Sequence, residues 1–387
     1  MKIIVFDLFS ASPCKDIKFH GGGEYIKTIY YELIKKIICE KLNVEVHVYY
    51  NADEYIDDWI IESYEQNFIR AYAVKDESSI VNELFKLDTN DQVTFFSGMI
   101  YLYGKDKVTF PDKVRTIGTC HGLRTLEKPY DKYSYKYVSV AKSMKEFLRA
   151  TFFRGYLFRK YLDKYRNALQ NFDVIITVSN HSATAVRTFL PEVAKDIDIR
   201  VFYTPMKISS NITQFGDQNY IMMISADRWL KNAFRGVSAI DSLYSKGYLK
   251  DINTKVYGNY PEKLRSKLRN IDKFDFYGYV EADILEDAYA NCSIFFYPTL
   301  NEGFGLPPLE AMKYGKTCIV SGICSLPEVY ADSVYYCNPY DIMEMENRLL
   351  RASEQRIDLD VIKRQINDIN NKQMDDLRGV CSLIIGE

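Results

Sequence analysis

One stretch constrains this chain more than any other: residues 293–327, SIFFYPTLNEGFGLPPLEAMKYGKTCIVSGICSLP. An apolar run ends at Pro298, a polar loop carrying Gly303 and Gly305 follows, Pro307 and Pro308 open a helix, and Gly315 closes it. Residues 317–320 (TCIV) then read as the next strand. The glycines let backbone N–H groups face a ligand closely, and the helix N-terminus behind them favours an anion, so the loop reads as a phosphate seat. Glu302 and Glu310 bracket that loop with seven residues between them, placed so that both can reach one bound molecule.

The same rhythm runs through the rest of the chain. Residues 1–6, 45–50, 93–96, 116–119, 174–178 and 200–203 are short apolar runs that predict strands, with helical patterns at 24–38 and 80–87 between them. Glycines 21–23 open the first helix. Residues 206–219 turn polar, after which strands resume at 220–224, 254–257 and 274–277, with helices at 233–246, 282–290 and 340–353. Alternation of this kind predicts parallel, doubly wound sheets. At 387 residues the chain exceeds what one core supports, roughly 250 to 300 residues. The expectation is therefore two α/β domains with the chemistry in the cleft between them, at the carboxyl ends of the strands.

Charge and cysteine usage exclude several classes. Fifty basic against 52 acidic residues, net −2, argue against a general nucleic-acid binder. Eight cysteines without a CxxC pair or zinc-type His spacing predict a reducing, cytosolic setting. The opening run ends at Asp7 and is too short for a signal segment, and no run reaches the ~18 apolar residues of a membrane span. No metal cluster is expected, because the Asp-x-Asp pairs at 196/198 and 358/360 fall outside a diphosphate-binding loop. Residues 132–166 differ from the rest, with ten Lys and Arg against Glu146 and Asp163, interleaved with aromatics. That mixture predicts an amphipathic segment suited to an anionic membrane surface.

Taken together, FYGYV (276–280), EGFGLP (302–307), LEAM (309–312), SLPEV (325–329) and Asn338-Pro339 resemble the retaining glycosyltransferases of family 4. The likeness covers most of 274–341, with weaker support from Gly21–Gly23, TCHG (119–122) and TVSNHS (177–182). The resemblance implies the GT-B fold, two Rossmann-like domains facing a central cleft. The acceptor domain is expected at 1–205, the nucleotide-sugar domain at 206–372, and a crossing segment back to the first domain at 373–387.

By the same resemblance, Glu302 lies close to the transferred sugar and Glu310 accepts hydrogen bonds from the ribose. Phe304, Gly305 and Leu306 supply backbone donors, while Arg228 and Lys231 hold the diphosphate. Their spacing in SADRWLKN (225–232) is shorter by about one or two residues than the family's usual pattern. His121 is expected at the donor sugar, Gly22 and Gly23 near the diphosphate, and Tyr279 and Val280 at the nucleobase. Asp7, Arg124 and Glu127 are further candidates on the acceptor side.

The function implied is metal-independent, retaining transfer of a sugar from a nucleotide donor to a hydroxyl of a glycan or lipid-linked glycan, in surface polysaccharide or lipopolysaccharide assembly. No cofactor is expected, and the implied location is cytoplasmic or on the inner membrane face. Two other readings stand beside it: a nucleotide-sugar 2-epimerase of similar fold, and a non-catalytic sugar-nucleotide-binding relative.

Overall fold

The computed structural model describes residues 2–11, 21–87, 91–104, 108–206, 216 and 218–387. Two compact units emerge: Met1–Leu123 with Arg159–Pro205 and Lys372–Glu387, and Arg124–Phe158 with Met206–Asn371.

The first unit holds a seven-stranded sheet. Its strands are β1 (Lys2–Asp7), β2 (Val44–Tyr50), β3 (Ile69–Ala73), β4 (Gln92–Ser97), β5 (Val114–Cys120), β6 (Val174–Thr177) and β7 (Asp198–Val201). They lie in the order β3-β2-β1-β4-β5-β6-β7, with every pair parallel. The order reverses direction at β1, so β1 is central, and its residues from Ile3 to Asp7 are buried. Helix Gly21–Glu40 packs Ile26, Ile29 and Leu33 against Ile4 and Phe6 of β1. Burying each such side chain contributes about 1.5 to 3 kcal/mol.

The second unit holds β8 (Tyr220–Met223), β9 (Asn253–Val256), β10 (Phe274–Phe276), β11 (Ile294–Tyr297), β12 (Thr317–Ser321) and β13 (Tyr335–Cys337). The order is β10-β9-β8-β11-β12-β13, again parallel throughout. Its core joins Ile221 and Met223 of β8, Ile294 and Phe296 of β11, and Val237 and Ile240 of helix Ala233–Ser245. The reversal point here lies between β8 and β11, where open α/β sheets place their ligands.

Two strands have no counterpart in the sequence expectation. β3 is an edge strand with only Ile69 buried, so it lacks an apolar run. β13 is the edge strand of the second sheet, three residues long, with Tyr336 half-buried between Tyr335 and Cys337.

The unit boundaries depart from the expected 1–205 and 206–372 at one place. Residues 124–158 pack in the second unit, because three polar links hold them there. Asp131 meets Arg235 at 3.0 and 3.1 Å, the Phe234 backbone N–H donates to Tyr137 Oη at 2.7 Å, and Lys263 Nζ donates to the Val138 carbonyl at 2.6 Å. The chain's end packs in the first unit: within helix Leu359–Ile385, Gln373 donates to the Thr204 carbonyl and Asp376 accepts the Tyr203 N–H at 2.8 Å.

The basic segment at 132–166 forms a short turn at Ser134–Tyr137 and two helices, Val140–Phe152 and Arg154–Leu169. Tyr133 stacks edge-on against Phe234 at 4.7 Å, while Met144, Phe147, Leu148, Phe152, Phe153 and Tyr156 are exposed.

Candidate active site

The loops at the carboxyl ends of β8 to β11 are tied to one another. After β8, the Ala226 N–H donates to the Tyr257 carbonyl at 3.0 Å. After β9, the Gly258 N–H donates to the Gly278 carbonyl at 3.1 Å. Gly258 has φ +96°, and an added Cβ would lie 2.6 Å from the Ala226 nitrogen, so the approach of these loops requires glycine there. The loop after β11 joins through Leu300, whose N–H donates to the Leu230 carbonyl at 2.7 Å. Asn232, in the left-handed region at φ 59°, donates to the carbonyls of Pro298 and Pro339 at 2.9 and 2.7 Å.

Glu302 is the centre of this arrangement, with 2 % of its surface exposed. Its Oε1 accepts from Lys231 Nζ at 2.5 Å, Tyr297 Oη at 2.7 Å and Thr299 Oγ1 at 2.9 Å. Its Oε2 lies 3.5 Å from Arg124 Nη2. Burial alone would push this carboxyl upward. The cations of Lys231 and Arg124, with the hydrogen bonds from Lys231 and Tyr297, outweigh burial and hold it at about 2. It is a fixed anion.

Lys231, itself buried, also donates to Tyr297 Oη. Burial pushes its ammonium down to about 8 against the pull of Glu302, and the charges of Arg124 and Arg228 push in the same direction as burial. An arriving anion would favour its charged form.

The glycine loop is held from beneath. Ser325 Oγ donates to the carbonyls of Glu302 and Phe304 at 3.2 and 3.0 Å, and Tyr330 Oη donates to the Gly305 carbonyl. Gly305 has φ +93°, where a Cβ would lie 2.5 Å from Leu326. These bonds draw the loop's carbonyls toward the helix Leu326–Tyr330. Leu306 caps the helix Pro307–Met312, which carries Glu310. Glu310 pairs with Lys313 at 2.7 Å, and Lys313 also reaches Glu286 at 3.2 Å.

Glu302 and Lys231 meet directly. Arg228 is exposed at the start of the turn Trp229–Lys231, close enough for its charge to act on Lys231. Tyr279 and Val280 follow β10, with Tyr279 73 % exposed.

In the first unit, His121 follows β5, its Nε2 2.9 Å from the Gly98 carbonyl and its ring edge-on to Tyr25. Gly22 and Gly23 lie in the first turn of helix Gly21–Glu40. Asp7 is fully buried and bonded to Ser97, Tyr103 and the Ser10 N–H. It is enclosed by the first unit's own residues.

Sequence reasoning missed part of the Glu302 shell. Tyr297 and Thr299 looked like a strand end and a loop residue, and only the fold turns both hydroxyls onto Glu302. Arg124, expected on the acceptor side, belongs to the second unit and reaches Glu302 from 178 positions away in the chain.

Residues 207–369 match the family model described as glycosyl transferases group 1. The serotype-specific mannosyltransferase WbdA of Escherichia coli is 37 % identical over 99 residues, 24 % of this chain and 12 % of that protein. The O-antigen chain mannosyltransferase RfbU of Salmonella typhimurium is 28 % identical over 168 residues, 42 % of this chain and 47 % of that protein. The match therefore spans about an eighth to a half of the length of these relatives. Among solved structures, WaaG, described as a glycosyltransferase involved in lipopolysaccharide biosynthesis, aligns over 99 % of this chain and 100 % of its own at 14 % identity, with a TM-score of 0.60. The fold is GT-B, as the sequence resemblance implied.

Proposed function

We propose that this chain is a retaining, metal-independent glycosyltransferase that moves a sugar from a nucleotide donor to a hydroxyl of a glycan or lipid-linked glycan, in the assembly of a surface polysaccharide or lipopolysaccharide. The observation that carries the reading is Glu302, a buried carboxylate kept ionised by two cations beside the glycine loop, within the region that matches the group 1 family model. A fixed carboxylate suits paired sugar hydroxyls, and exposed cations beside it suit a departing diphosphate. The relatives named as mannosyltransferases make mannose the first donor sugar to try.

Under this reading Glu302 meets the transferred sugar and Glu310 the ribose. Backbone donors come from Phe304, Gly305 and Leu306. His121, Gly22 and Gly23 carry the donor-contacting roles that the family resemblance implies, and Tyr279 and Val280 border the nucleobase. Arg228 and Lys231 take the electrostatic part that a metal plays elsewhere, so a chelator leaves transfer unchanged.

Screening nucleoside-diphosphate sugars for thermal stabilisation tests the reading, since a ligand that binds only the folded chain raises its apparent stability by mass action. One donor is expected to stand out, to be consumed with a glycan acceptor, and to yield a product of unchanged anomeric configuration. A chain stabilised by no nucleotide-sugar, or one that interconverts the donor without acceptor, would refute it.

The exposed side of helix Val140–Phe152 supports a membrane-side location. Met144, Phe147, Leu148 and Phe152 follow the i, i+3, i+4 spacing of a single helical stripe, flanked by Lys142, Lys145 and Arg149. Among the described residues no helix is long and apolar enough to cross a membrane. Flotation with anionic vesicles is expected for the wild type and lost in a Lys145→Glu, Arg149→Glu double variant. Equal flotation of the two removes the membrane role.

A further inference from the structure

Arg124 lies outside every motif by which the donor site was recognised, yet it is the second cation on Glu302. We propose that Arg124 is a direct ligand of the donor's diphosphate, carried to the site by a clamp that fixes its segment to the turn bearing Arg228 and Lys231. The assignment rests on the glycosyl-transfer reading.

Three observations carry it. First, the Lys231 ammonium is buried and bonded to Glu302 and Tyr297, whereas the Arg124 side chain on the same carboxylate is 36 % exposed. Second, Arg124 meets the Glu302 carboxylate through Nη2 at 3.5 Å, which sets a planar guanidinium at the edge of that site. A guanidinium engages phosphate oxygens bidentately in a way an ammonium does not.

Third, the segment is anchored where such a ligand needs it. Asp131, seven positions after Arg124, receives both arms of Arg235 at 3.1 and 3.0 Å, and both residues are buried. Arg235 also donates to Asn232 Oδ1 at 2.8 Å. Asn232 directly follows Lys231 and holds the carbonyls of Pro298 and Pro339, so Asp131, Arg235 and Asn232 link the two cation-bearing segments through one buried path. Asp131 and Arg235 are positioning residues, acting on the donor through Arg124 and Lys231.

In the transfer step the bond between the anomeric carbon and the diphosphate oxygen breaks with its electron pair on that oxygen, and the acceptor oxygen forms the new bond to that carbon as its proton passes to the departing diphosphate oxygen. The guanidinium of Arg124 accompanies the charge growing on the diphosphate and is not itself changed.

Calorimetric titration of UDP and of GDP into the wild type, Arg124→Gln and Arg124→Lys tests this. The glutamine variant is expected to weaken the bound nucleotide by about tenfold or more, the scale of one charge-assisted phosphate contact, with the lysine variant between it and wild type. The Lys231 amine, followed by NMR, is expected to titrate at higher pH in Arg124→Gln, because a neighbouring positive charge has been removed. A folded Arg124→Gln with wild-type affinity overturns the assignment alone. Wild-type affinity in Arg124→Lys overturns it if the glutamine variant does not fold. A wild type that binds neither nucleotide overturns it together with the glycosyl-transfer reading.

Discussion

Asp7 and Glu302 are two carboxylates withdrawn from water to nearly the same degree, one ending β1 of the first sheet and the other five residues beyond β11 of the second. They titrate in opposite directions. Asp7 is surrounded by the hydroxyls of Ser97 and Tyr103 and the N–H of Ser10, and burial pushes its carboxyl above the ordinary 3.8. Glu302 suffers the same burial, but Lys231 and Arg124 reverse its effect. Hydroxyl donors make a buried acid tolerable, whereas cations make it an anion ready for chemistry. A buried acid at a strand end is therefore no functional signal until its partners are known.

Asp131 is buried like the other two and is held low chiefly by Arg235, against the upward push of burial. Asp131→Ala leaves the Arg235 guanidinium unpaired in the interior, and the full chain is expected to lose about 3 to 5 kcal/mol in urea unfolding. A loss below ~1 kcal/mol would mean the clamp is not a fixed structure.

Glu302→Gln is expected to reduce transfer by about 10²- to 10³-fold, the scale on which a fixed electrostatic group acts at a reacting centre. Asp7→Asn should leave transfer within a factor of about two, since the carboxylate is enclosed by Ser97, Tyr103 and Ser10 of its own unit and touches none of the groups on Glu302. Equal losses in both variants would erase the contrast between the two acids.

Tyr297→Phe deletes one of the hydroxyls on Glu302 while keeping the ring. A hydrogen bond to a charged group contributes about 1.5 to 3 kcal/mol, so the variant should lose that much stability and let the carboxyl titrate higher. An unchanged urea midpoint would show that Lys231 and Thr299 compensate.

The smallest effect is the sign of the pH dependence. Glu302 releases its proton at about 2 in the folded chain and near 4.5 in the unfolded one, so the unfolded state binds more protons in that window. Its contribution is present above 4.5 and lost as pH falls toward 2. Asp7, raised above 3.8, contributes in the other sense, its stabilisation being lost as pH rises from that value. Urea midpoints between pH 3 and 7 should show Glu302→Gln removing a rising component and Asp7→Asn a falling one. The same sign in both variants would show that the two carboxyls are shifted in the same direction.

Much of this molecule was legible in one dimension. The strand, glycine loop and helix at 293–320 are local features, set by apolar runs, proline and glycine positions, and they emerged where the periodicity placed them. The edge strand β3 did not, because half-exposed pairing leaves no apolar run to read. The basic stretch at 132–166 was visible as composition, but its tyrosines and its outward stripe separated only once Tyr133 met Phe234 and Asp131 met Arg235.

What the chain determined by itself is where ligand-facing loops can form and which carboxylates stand beside them, because turn chemistry and short-range periodicity act within a few residues. What tertiary structure decided is the charge state of those carboxylates. Lys231 and Arg124 come to Glu302 across 71 and 178 positions of sequence, and the pull of a cation on a buried acid depends on distance in space and on the water excluded between them. No spacing along the chain records either quantity.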